Sequence, residues 1–122
     1  MISRIVGALL MSLFLADMSF ATDVKSQHGG RAVEAGDYHV ELVAKSGLID
    51  VYLADHNNKA VRSAGHKGLA ILVVDGKSQR IVLEPAGESR LSGKAGGELP
   101  GAPKGVVQIT LPNGKTVQAR FN

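Results

Sequence analysis

Beyond residue 21 the chain carries no apolar repeat at helical spacing. Short runs rich in Val, Ile and Leu alternate with polar residues and are separated by Gly, Asn, Asp and Pro, the pattern of half-buried strands joined by tight turns. Strands are expected at Arg31–Ala35, Tyr38–Lys45, Leu48–Ala54, Leu69–Val74, Gln79–Glu84, Gly105–Leu111 and Lys115–Phe121, with a weaker one at Ser89–Leu91. The fold expected from this spacing is all-β: a small antiparallel β-sandwich or Greek-key barrel of about seven to eight strands.

Because successive strand residues point to opposite faces, each hairpin register can be tested by whether it gathers apolar side chains on one side. A two-residue turn at Ser46-Gly47 sets Val40 against Leu53, Leu42 against Val51 and Ala44 against Ile49, leaving His39, Glu41, Asp50 and Tyr52 outward. A turn at Asp75-Gly76 joins Ala70, Leu72 and Val74 to Ile81 and Leu83. Its other face carries Ile71, Val73 and Val82, so this pair is expected to be central and buried on both sides. For "LPNGK" a two-residue Asn113-Gly114 turn would place Ile109 opposite Gln118. A three-residue loop with Gly114 left-handed instead pairs Ile109 with Val117 and Val107 with Ala119, and the hydrophobic pattern selects it. The Gly- and Pro-rich stretch from Glu84 to Gly105 reads as a long irregular connection. It and the arm Thr22–Gln27 are expected to be the least ordered parts of the domain.

Residues 1–21 read as a cleavable export signal: Arg4, an apolar stretch from Ile5 to Ala16, and Ser19-Phe20-Ala21 before the cut. That stretch is too short to span a bilayer, so a periplasmic protein without membrane insertion is expected, with residues 22–122 as one domain of about 100 residues. There is no cysteine, hence no disulfide framework. The net charge of +3 is spread along the chain without a basic block, which argues against nucleic acid as a partner.

Catalysis finds little support. No nucleophile elbow is present, and the Gly-Lys pairs lack the spacing of a phosphate-binding loop; the chain is not expected to be an enzyme. The remaining chemistry lies in His28, His39, His56 and His66. In the first hairpin His39 opposes Ala54, and extending the pairing by two residues would bring His56 opposite Asp37, diagonal to His39. Diagonal neighbours on a sheet face are roughly ~7–8 Å apart, so His39, His56, Asp37 and Glu41 are candidate metal ligands, with His28 as a further one from a less rigid segment. All three methionines precede residue 22. Without thiolate or thioether, such a site would take a borderline divalent ion: Zn(II), Cu(II), Ni(II) or Co(II).

The pieces "HGG" at 28–30, "GDYHVELV" at 36–43, "VYLADH" at 51–56, "LEPAG" at 83–87, "LSG" at 91–93 and "QARF" at 118–121 together resemble the N-terminal accessory segment of periplasmic adaptors of cobalt-zinc-cadmium-type efflux pumps. The resemblance covers nearly all of the chain after the signal. It departs at Lys59-Ala60-Val61, where a Pro before Val is expected. The helical hairpin and lipoyl-like domain of an adaptor do not fit in this length. The resemblance implies an exported accessory of heavy-metal resistance, partnered by an efflux adaptor or another envelope protein. A metal-free β-domain that docks to such a protein is the alternative.

Overall fold

The computed structural model describes residues 23–122; the expected signal and its cleavage point lie outside the described residues. Nine strands occupy that span: β1 (Asp23–Val24), β2 (Arg31–Ala35), β3 (Tyr38–Lys45), β4 (Leu48–Asp55), β5 (Lys67–Val74), β6 (Lys77–Pro85), β7 (Arg90–Lys94), β8 (Lys104–Thr110) and β9 (Thr116–Phe121). They form one antiparallel sheet in the order β1-β2-β3-β4-β7-β6-β5-β8-β9. The all-β expectation holds, in the form of a single curled sheet whose β2 and β9 come into contact. A methyl group on Gly36, in the β2–β3 turn, would touch Val117 at 3.6 Å. The Arg31 guanidinium donates to the carbonyl of Asn122.

The hairpin registers follow the turn chemistry. Ser46 and Gly47 have φ of 52° and 77°, and Asp75 and Gly76 repeat those values, as a two-residue turn with both residues left-handed requires. Val40 pairs with Leu53, Leu42 with Val51 and Ala44 with Ile49. The last hairpin adopts the three-residue loop: Ile109 pairs with Val117 and Val107 with Ala119, and Gly114 sits at φ 88°. The inward residues of these strands close a core of Val33, Val40, Leu42, Ile49, Val51, Leu53, Leu72, Ile81, Leu83, Leu91, Val107, Ile109 and Phe121.

Three expectations are corrected. First, the stretch from Glu84 to Gly105 is not one irregular connection: the weaker strand expected at Ser89–Leu91 is present, shifted to Arg90–Lys94. Arg90–Lys94 forms β7, paired to β4 along its length and to the end of β6 through Glu84–Ser92 and Pro85–Leu91. Leu91 is fully buried, and Gly93 lies so close to β6 that a Cβ would stand 2.5 Å from the Val82 carbonyl oxygen. The sequence shows one large apolar residue among Gly, Ser and Lys, and that residue is enough to carry the strand into the core. Second, β5 and β6 are central in the sheet but buried on one face only. Val82 is 66% exposed and Val73 48%, because among the described residues no layer covers the convex side of the curl. Third, the N-terminal arm is tied down. Asp23 and Val24 pair with Val33 and Ala32, and the arm then crosses the outer face of β3.

Candidate functional site

The outer face of β2, β3 and β4 is built of cross-strand rows. One row runs Glu34–His39–Ala54, and the next runs Ala32–Glu41–Tyr52–Arg90 onto β7. In the second row Glu41 is 5% exposed, which corrects its expected place as an outward, solvated ligand. The arm covers it. The backbone N–H groups of Gln27, His28 and Gly30 donate to its carboxylate at 2.9, 2.9 and 2.8 Å. His28 Nδ1 reaches Oε1 at 3.0 Å, and the His28 ring stacks on Tyr52 at a centroid distance of 3.6 Å. Gly30 permits this close crossing, since a Cβ there would stand 2.3 Å from the carbonyl oxygen of Leu42. Burial is the largest influence on the Glu41 carboxyl and pushes it upward, but the hydrogen bonds from Gln27, Gly30 and His28 together outweigh it and hold the group below the usual glutamate range. An ionised carboxylate only accepts, so the Nδ1 of His28 carries the proton that is shared with Glu41. Glu41 is thereby an anchor for the arm.

The first row holds the more open arrangement. After β4, Asp55 accepts the N–H groups of Asn57 and Lys59, both at 2.9 Å. The Lys59 bond is the largest influence on its carboxyl, which lies below the usual aspartate range; desolvation opposes it, and the Asn57 bond and the charges of His56 and Lys59 act in the lowering sense. The tight loop that results puts Asn58 at φ 65°, a left-handed conformation that Asn tolerates better than most residues. Its side-chain oxygen meets His39 Nδ1 at 2.7 Å. Nδ1 therefore carries a proton, and in the neutral imidazole Nε2 bears the lone pair. Nε2 faces Glu34 Oε1 at 3.8 Å. In the neutral ring these are two acceptors, and either a proton on Nε2 or a metal ion between them relieves the arrangement.

A pocket of about 140 Å³ lies between the arm and the Asn58 loop, and His28, His39, Glu41, Tyr52 and Asn58 all line it. The structure thus brings three of the five candidate ligands to one pocket. It does not bring the other two. Pairing between β3 and β4 ends at Tyr38–Asp55, so His56 is not opposite Asp37; His56 is exposed in the turn after β4 and Asp37 is exposed in the β2–β3 turn. Among the described residues no three His, Asp or Glu side chains converge as a metal cluster. His66, the fourth histidine, is buried apart from this face, its Nδ1 3.2 Å from the Ala64 carbonyl oxygen.

Two residues of the arrangement escaped the sequence reading. Glu34 was accessible to it, because the two-residue turn Gly36-Asp37 that pairs Ala35 with Tyr38 also sets Glu34 opposite His39. Asn58 was not, since it lies 19 residues from His39 and arrives through the loop that Asp55 organises.

Fold and site together define a small all-β domain, one curled antiparallel sheet with a polar outer face strapped by its own N-terminal arm. No family model, curated protein or solved structure matches the chain.

Proposed function

We propose that this domain is an exported accessory of metal homeostasis that binds a borderline divalent ion at His39, with Glu34 as its second ligand. The observation that carries the reading is the confrontation of His39 Nε2 with Glu34 Oε1 at 3.8 Å. Zinc bonds to imidazole nitrogen and carboxylate oxygen are each roughly ~2.0–2.2 Å, so a gap of 3.8 Å lies within the reach of two bonds to one ion. The hydrogen bond from Nδ1 to Asn58 is the support that metal-binding histidines ordinarily have: it fixes the ring and directs the free nitrogen. The described residues include no Cys or Met, which leaves nitrogen and oxygen donors and favours Zn(II), Cu(II), Ni(II) or Co(II). The leader-like first 21 residues and the resemblance to heavy-metal efflux accessory segments support a periplasmic setting with an efflux adaptor or another envelope protein as partner.

Calorimetric titration of the purified protein with Zn(II) and Cu(II) at neutral pH tests this. His39→Ala is expected to weaken binding at least tenfold, about 1.4 kcal/mol, and Glu34→Gln to weaken it by a smaller factor. His56→Ala should leave it within twofold. Binding should also weaken on acidification, because a proton competes for Nε2. No saturable binding, or binding indifferent to His39, would favour the metal-free docking module instead, a reading that the exposed Val73 and Val82 on the convex face support.

A further inference from the structure

Resting on that reading, we infer that the ion is shared: a divalent metal bridges two copies of this chain, each contributing His39 and Glu34. The pair is an incomplete site. Zinc held structurally takes four ligands, while among the described residues no third His, Asp or Glu joins these two. The Glu34 side chain is 50% exposed and that of His39 13%, so the pair opens to the surface of the β2–β3 hairpin on its Glu34 side, where another molecule can reach it.

A two-fold axis through the ion would supply the missing ligands from the same residues of a second copy, because an isologous contact repeats one patch on both partners. Charge favours the same arrangement. Two ionised glutamates and two neutral imidazoles around a divalent ion sum to zero net charge. Without the ion, Glu34 would face its counterpart with exposed Asp37 beside it in the same hairpin, and like charges oppose the approach. Association is thereby conditional on the metal. The convex face of β5 and β6 takes no part in it.

Sedimentation velocity of the purified protein at about ~50 μM, titrated with zinc sulfate in metal-free buffer, reads this directly. The expected result is a doubling of mass that saturates at half an ion per chain and reverses with a chelator. His39→Ala and Glu34→Gln should each remain monomeric at the same zinc concentration, and Glu34→Gln, at an exposed position, keeps the fold intact as a control. Binding of one ion per chain that depends on His39 but leaves the protein monomeric would overturn the shared site while leaving the metal reading in place. Absence of any binding would overturn both. A dimer that persists in chelator, or in His39→Ala, would also overturn the inference, since another surface would then hold the copies together.

Discussion

Replacing Glu41 by Gln probes the contact that fixes the N-terminal arm. Four groups donate to that carboxylate: the N–H of Gln27, His28 and Gly30, and Nδ1 of His28. Hydrogen bonds to a charged group contribute about ~1.5 kcal/mol each at the low end, or roughly 6 kcal/mol in gross terms. Glutamine removes the charge and turns one acceptor into a donor aimed at other donors, so the arm detaches rather than adjusts. Detachment returns conformational entropy, about ~1 kcal/mol for each of the residues from Gln27 to Gly30. The net loss is then about ~2 kcal/mol. With a urea slope near ~1.3 kcal/mol per molar for a domain of this size, the unfolding midpoint should fall by about ~1.5 M. Amide exchange at Gln27, His28 and Gly30 should rise towards that of free chain.

The pH dependence has a definite sign. The Glu41 carboxyl lies below its ordinary value in the folded protein, so the unfolded chain binds the proton more readily. Its contribution is fully present above the unfolded glutamate value, near ~4.3, and is lost as pH falls from there through the lower folded value. The Gln variant should lack that part of the acid dependence. A midpoint change corresponding to less than about ~0.5 kcal/mol, or unaltered exchange at the three amides, would refute the anchoring role of Glu41.

Two further substitutions test the packing. Leu91→Ala should cost about ~2–5 kcal/mol in chemical unfolding, the range for truncating a buried leucine; a loss under about ~1 kcal/mol would mean that β7 does not carry its weight in the core. Amides of Arg90–Lys94 should exchange more slowly than those of residues 96–102, which lie outside any strand. Val82→Lys should change stability by less than about ~0.5 kcal/mol, because that side chain is 66% exposed. A large loss on thermal unfolding would place a packing partner over the convex face.

Much of this fold is local and so is legible along the chain. Strand alternation has a period of two and turns have few geometries, which is why the Ile109–Val117 and Val40–Leu53 pairings follow from hydrophobic pattern and turn residues alone. His39 inherits its outward place from the same register. The tertiary structure decided what covers each face. Glu41 and Val82 both sit outside the core by alternation, yet Glu41 is buried and Val82 is not, because the arm crosses one patch of the sheet and, among the described residues, no segment crosses the other. Leu91 enters the core through a strand that pairs with β4 and the end of β6, partners distant in sequence. The partners of His39 divide in the same way: Glu34 comes from the adjoining strand of a hairpin, and Asn58 from a loop whose path depends on the hydrogen bonds of Asp55. Periodicity sets the direction of a side chain; the segment that arrives above it is set by chain closure over long separations, which no local pattern encodes.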